Sequence, residues 1–131
     1  MILLGDWRSG SAAALHADGH WFESDIAHFI NTSKRSIMET LYKLLSDTQA
    51  SLFLLFQKTW VYHWHVVGED FKQIHDLFGE QYAEIQEEID RLSEHMRFLG
   101  IKPVSSLSRV LEVSGVGEAK TNISSMEMIS D

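Results

Sequence analysis

Four side chains in this sequence of 131 residues have the types and spacing to hold a metal ion: His63, His75, Asp90 and Glu94. Asp90 and Glu94 are four residues apart, so a helix projects both from one face, a common way to present two hard oxygen donors. Imidazole and carboxylate without sulfur suit iron, manganese or zinc rather than a soft metal. The chain contains no cysteine, which excludes thiolate sites and a disulfide scaffold. Taken alone, Asp-x-x-x-Glu is also the ordinary pattern of a solvated helix face. His75 and Asp90 are separated by roughly 22 Å along a helix axis, so one helix cannot bring both to one ion. If that helix pairs antiparallel with its copy about a two-fold axis near Tyr82 and Ala83, His75 meets Asp90 of the partner subunit, with Glu94 one turn further and His63 beside His75. The spacing permits this shared site and does not require it. An isologous dimer would hold two such sites.

The elements that must position these residues are legible as two long helices. Ile37, Leu41, Leu44, Leu45, Leu52, Leu55, Phe56, Trp60 and Trp64 recur at helical spacing. Ser36-Ile-Met-Glu39 has the form of a capping box at the start of that run, and Gly68 supplies a left-handed residue to end it. Asp70-Phe-Lys-Gln73 reads as a second capping box. Phe71, Phe78, Ile85, Leu92 and Leu99 then follow at seven-residue intervals, with Ile74, Tyr82, Ile89 and Met96 filling the same stripe. This second helix is expected to end at Gly100, with Arg97 in its last turn and Pro103 beyond. The short link at Gly68-Glu69-Asp70 predicts an antiparallel hairpin. Ser105 to Val113 predicts about two helical turns, and Ser124-Ser-Met-Glu127 a further capping box. Residues 1–35 show no sustained period and read as an N-terminal extension, with Ala12–Leu15 and Ile26–Ile30 as short helical pieces.

The run Gln57-Lys-Thr-Trp-Val-Tyr-His63-Trp-His-Val-Val-Gly68-Glu-Asp-Phe71, with His75-Asp-Leu-Phe-Gly-Glu-Gln-Tyr82, Asp90-Arg-Leu-Ser-Glu94 and Leu99-Gly-Ile-Lys-Pro103, resembles the Dps family of miniferritins. The resemblance covers roughly residues 36 to 115. It implies an all-α, ferritin-like four-helix-bundle subunit, represented in this chain by the hairpin and short helices of an incomplete domain over 36–131. It also implies a dodecameric shell built from two-fold dimers, in which ferrous iron is oxidised at the subunit interfaces with hydrogen peroxide and the ferric mineral is stored inside. By matched position, His63, His75, Asp90 and Glu94 would be the catalytic iron ligands, and Trp64 would line the site. Carboxylates stabilise the ferric product and neutral imidazoles hold the ferrous substrate. Two departures stand out. Four residues after the second His the family has a carboxylate, whereas this chain has Gly79, with Glu80 in a different helical direction. The third and fourth long helices are absent except for the residues after Ser124, so truncation is expected, and the hairpin's apolar stripe then has only another copy to cover it, or nothing.

The other histidines fit a metal less well. His65 points about 200° around the helix from His63, and His95 reads as a surface residue. His16 and His20 have i, i+4 spacing in Gly- and Ala-rich surroundings. Trp60, Tyr62 and Trp64 are expected in the core. The formal net charge of −8 and the near absence of basic residues before Ser36, only Arg8, Lys34 and Arg35, disfavour DNA binding through the N-terminal segment. No apolar run approaches the roughly 20 residues that span a bilayer, and Met1-Ile-Leu-Leu is too short for a signal core, so a cytoplasmic location is expected. The competing functions are a ferroxidase that protects against peroxide, a DNA-protecting structural protein, and an inactive helical fragment.

Overall fold

The computed structural model describes residues 19–131, with side chains from Asp25 onward. Among the described residues there are four helices and no strand: α1 (Gly19–His65), α2 (Phe71–Phe98), α3 (Leu107–Val113) and α4 (Ser125–Ser130). The chain divides into two units at the Thr40–Leu41 boundary. In the first, Ile26, Phe29, Ile30, Ile37 and Met38 are all exposed. Ala12–Leu15 and His16, with the side chain of His20, lie outside the described residues.

Ser36 does not start a helix. It lies within α1, its carbonyl accepts from Thr40 Oγ1 at 2.9 Å, and Glu39 pairs with Arg35. No breaker interrupts Gly19–His65, so the backbone donors that a cap would satisfy already have carbonyl partners one turn back. Ile26–Ile30 belongs to the same helix. The second expected box is half realised: Asp70 is the N-cap of α2, but its side chain makes no capping hydrogen bond. The third forms in full. Ser124 accepts from the Glu127 amide at 3.3 Å, and Glu127 accepts from the Ser124 amide at 2.8 Å.

α1 and α2 form the antiparallel hairpin. Gly68 takes φ +108° between them, a conformation that L side chains rarely adopt. Pairing across the hairpin runs in opposite directions along the two helices, His63 against His75 near the turn and Gln49 against Ser93 farther from it. Gln49 is fully buried, and both ends of its amide are used. Its Nε2 donates to Ser93 Oγ at 2.7 Å, and its Oε1 accepts from the Val104 amide at 2.7 Å. A buried amide left unmatched would cost about 1–3 kcal/mol, so this one residue ties α1, α2 and the following segment into one register.

The hairpin's apolar stripe is not left uncovered within the chain. Residues after α2 return across it and make two clusters. Tyr62, Val66, Ile74, Phe78 and Met128 pack together with Ala119 and Ile123, while Ala50, Leu54 and Val110 pack with Phe53, Val104, Val113 and Val116. Burying each large apolar side chain contributes about 1.5–3 kcal/mol. The seven-residue stripe is only partly the core. Ile74, Phe78, Ile89 and Met96 are buried, but its end members Phe71 and Leu99 are about half exposed.

One polar network closes this cover, and sequence reasoning did not single it out. The Asp131 carboxylate pairs with Lys58 of α1 and with Lys120, and accepts from the Tyr62 hydroxyl at 2.6 Å; the Lys120 amide donates to the same hydroxyl at 2.9 Å. Lys58 and Asp131 side chains are almost fully enclosed. The Lys120 ammonium foremost, then Lys58 and the Tyr62 hydroxyl, hold the Asp131 carboxyl far below its ordinary range. Burial first, and then the bond to Asp131, push the Tyr62 phenol up. A depressed carboxyl contributes stability that is present above its unfolded value of about 3.9 and is lost as pH falls toward the folded value. The raised phenol acts in the opposite direction. Its contribution is present below about pH 10 and is lost as pH rises through its folded value. Thermal melts between about pH 7 and pH 2.5 are therefore expected to drop steeply below about pH 4. Asp131→Asn should start lower and fall more gently. Equal slopes for the two proteins would remove Asp131 from this account.

Candidate metal centre

His63 sits in the last turn of α1 and His75 in the second turn of α2, where the short link forces the two helix ends together. Their rings stack with centroids 3.6 Å apart and planes 23° from parallel. Each ring is held by the other residue's backbone: His63 Nδ1 donates to the His75 carbonyl at 2.8 Å, and His75 Nδ1 donates to the His63 carbonyl at 2.8 Å. A carbonyl oxygen can only accept, so both Nδ1 atoms carry the proton and, in the neutral rings, both Nε2 lone pairs are free. Metal-binding histidines are commonly prepared in this way, with one ring nitrogen tied down so that the other is presented.

Aromatic side chains frame the pair. Phe71 stacks on His75 at 4.9 Å, which explains why this member of the stripe is not in the core. Tyr82 meets His63 edge-on at 5.3 Å and continues to Trp60 at 6.2 Å, which lies 4.7 Å from Trp64. Tyr62 is buried as expected, but Trp60 and Trp64 are 40% and 56% exposed. Neither belongs to the two buried clusters that residues 101–131 complete. The sequence expectation of a wholly internal aromatic group missed this because helical period alone does not say which face is covered.

Asp90 and Glu94 both lie on α2 and are both exposed, four residues apart as the spacing required. Asp90 lines an open groove with Phe53, Ala83, Gln86 and Glu87, and Glu94 lies beside Arg97 and Phe98. The structure therefore brings His63 and His75 together and leaves Asp90 and Glu94 farther along α2, about 22 Å from His75 for Asp90. Among the described residues of one chain, no three histidine, aspartate or glutamate side chains gather into a metal-holding group. His65 and His95 are exposed and bond the carbonyls of Val61 and Arg91 in their own helices.

Two neighbours of His75 bear on the site. Asp76 is bound by Lys72 at 2.6 Å, which lowers its carboxyl below the usual value, with smaller contributions from His75 and His63. It adjoins the pair in sequence and is a carboxylate that spacing arguments overlooked. Gly79 faces His63: a Cβ added there would stand 3.4 Å from His63 Cε1 and 3.5 Å from Nδ1. Those are ordinary contact distances, so a side chain at this position is sterically allowed.

The ferritin-like domain model matches residues 42–131, and the chain belongs to that family. Its relatives include Dps proteins. It is 34% identical to the DNA protection during starvation protein of Brevibacillus brevis over 97 residues, 74% of this chain and 65% of the relative. It is 39% identical to a low temperature-induced protein of Nostoc over 75 residues, 57% of this chain and 42% of that protein. The crystal structure of a Dps protein from Vibrio cholerae O1, described as a member of a broad superfamily of ferritin-like diiron-carboxylate proteins, superposes with a TM-score of 0.64 at 29% identity, covering 70% of this chain and 59% of that one. The chain thus spans less than two thirds of the length of these relatives.

Two outcomes are expected from the pair's geometry. Long-range proton–nitrogen NMR of the metal-free chain should show His63 and His75 as Nδ1–H tautomers in their neutral form. An Nε2–H signal from either ring would mean that the reciprocal bonds are not made. Gly79→Ala should raise stability in urea denaturation by roughly 0.5–1 kcal/mol, the helix-propensity gain of alanine over glycine, since its methyl group meets nothing closer than ordinary contact.

Proposed function

We propose that this chain is an iron-binding miniferritin subunit that oxidises ferrous iron with hydrogen peroxide, at sites shared between two subunits, in iron detoxification and protection from oxidative stress. The observation that carries the proposal is the prepared imidazole pair, two stacked histidines with both Nδ1 protons committed and both Nε2 atoms free. Membership of the ferritin-like family, and the diiron-carboxylate description of the Vibrio cholerae relative, support iron as the substrate. The donor set fits it: neutral imidazole favours the ferrous ion, and anionic oxygen favours the ferric product.

His63 and His75 are assigned to one half of the site. Asp90 and Glu94 of the partner subunit are assigned to the other, because helix spacing keeps them from reaching the histidines of their own chain. In each turnover two ferrous ions give one electron each to one molecule of hydrogen peroxide. With two protons, the peroxide then leaves as two waters. The histidines hold and orient the ferrous ions, and the carboxylates neutralise the charge gained on oxidation. A homo-oligomeric shell and a cytoplasmic location belong to the same proposal; no helix among the described residues is long and apolar enough to cross a membrane.

Mixing tests the shared geometry. His63→Ala and Asp90→Ala proteins should each lose most peroxide-dependent iron oxidation, followed by ferric absorbance after anaerobic loading. Subunit exchange between them should restore part of it, since one of the two sites in a mixed dimer keeps every ligand. Folded, exchanging mutants that regain nothing would rule out the shared site. Light scattering after size exclusion should give a mass of a dimer or a larger closed assembly, and a monomer would contradict it.

A further inference from the structure

We propose that the cleft between α1 and α3, walled by Ser46, Asp47 and Arg109, binds a free α-amino acid through both of its charged groups. The cleft lies roughly 25 Å along α1 from His63, and the proposal is independent of the metal-binding reading.

Packing fixes the two walls. Ala50 and Leu54 of α1 bury Val110 of α3, and just beyond α3 the Gly115 amide donates to Ser51 Oγ at 2.9 Å. Beside this contact the two helices leave a cleft of about 440 Å3, within the size range of small-molecule sites. Ser46 lines it and is only 3% exposed. Among the described residues, its hydroxyl is the buried side-chain polar atom that has no hydrogen-bond partner. Burying a hydroxyl without a partner is unfavourable, so a polar group that enters the cleft gains by meeting it.

The charges around that hydroxyl say what the ligand is. Lys43 pairs with Asp47 on α1, and Arg109 Nη1 pairs with Glu112 Oε2 at 2.8 Å on α3. The two pairs face each other across the cleft. Glu112 foremost, and then Tyr42 and Asp47, push the Arg109 guanidinium up. Two cations and two carboxylates thus line one cleft with no net charge. A bare anion would meet Asp47 and Glu112 there, and a bare cation would meet Lys43 and Arg109. A zwitterion avoids both penalties when each end lies against the opposite charge. Both pairs leave atoms free to receive it. Glu112 takes one guanidinium N–H of Arg109, whose fork presents others, and Lys43 is bonded to Oδ2 of Asp47, which leaves Oδ1. The ligand carboxylate accepts from Arg109 and from the Ser46 hydroxyl, and its ammonium donates to Asp47. Tyr42 and Val113 offer apolar surface to the rest of the molecule, which favours an aliphatic side chain such as that of leucine.

The test is isothermal titration calorimetry of the full chain with L-leucine at constant ionic strength. Leucine should bind with a Kd of about 0.1–1 mM, the scale of a few charge-assisted contacts in an open site, and raise the melting temperature. Isoamylamine and isocaproate are leucine without its carboxylate and without its ammonium. Each should bind at least about tenfold more weakly, the loss of one charge-assisted contact. Arg109→Met, at an exposed position, should weaken leucine binding by about tenfold or more. Ser46→Ala should melt no lower than the parent chain in the absence of leucine, since it removes an unpartnered hydroxyl. It should still bind leucine about threefold to tenfold more weakly. Circular dichroism should show unchanged helix content in both variants. No heat from leucine, with water alone in the cleft, overturns the proposal. So does binding of either analogue as tight as that of leucine, or leucine binding that either substitution leaves unchanged.

Discussion

The antiparallel register of α1 against α2 is the constraint on which everything else in this chain depends. It is held at two points by hydrogen bonds that cross the hairpin. Near the turn, two imidazoles exchange hydrogen bonds with each other's backbone carbonyls. Farther along, the buried Gln49 amide matches one end to Ser93 and the other to the Val104 amide. A slip of one residue would rotate one helix by about 100° relative to the other, break all of these bonds and move the apolar stripe off its cover. The bonds that position the candidate metal centre are therefore also part of what specifies the fold.

The cover itself divides the hairpin into two chemically different sides. Residues 101–131 return over α1 and α2 and bury Ala50, Leu54, Tyr62, Val66, Ile74 and Phe78, a side closed by the Lys58–Asp131–Lys120 network. On the other side of α1, Trp60 and Trp64 remain accessible beside the histidine pair. Tyr62 and His63 are adjacent in sequence but serve different sides. The tyrosine hydroxyl completes a buried ion-pair network, and the imidazole faces the aromatic wall. The buried network and the candidate metal centre thus rest on different sides of the same two helical turns.

The carboxylates are placed by a different logic. Asp90 and Glu94 sit on an exposed part of α2, where ionised groups keep their hydration. Close to the histidines, the acidic group is Asp76, and it is already paired with Lys72. The imidazole pair therefore has little anionic oxygen from its own chain.

Much of this was legible in the sequence, because the signals were local. Helical period, the glycines at 68 and 100 and the Ser124–Glu127 box each depend on a few neighbouring residues, and the structure follows them. So does the meeting of His63 and His75, which a short link between two long helices leaves little freedom to avoid. Ser36 misled because a capping pattern has meaning only where backbone donors lack partners, and α1 runs on past it to Gly19. What the sequence left open was set by contacts between residues far apart in the chain. The tautomers of the histidine pair, the exposure of Trp60 and Trp64 and the burial of Lys58 with Asp131 all follow from which surface covers which. Periodicity assigns an apolar face to a helix, but only tertiary packing decides what lies against it, because side-chain burial and hydrogen-bond partnership are properties of two surfaces and not of one.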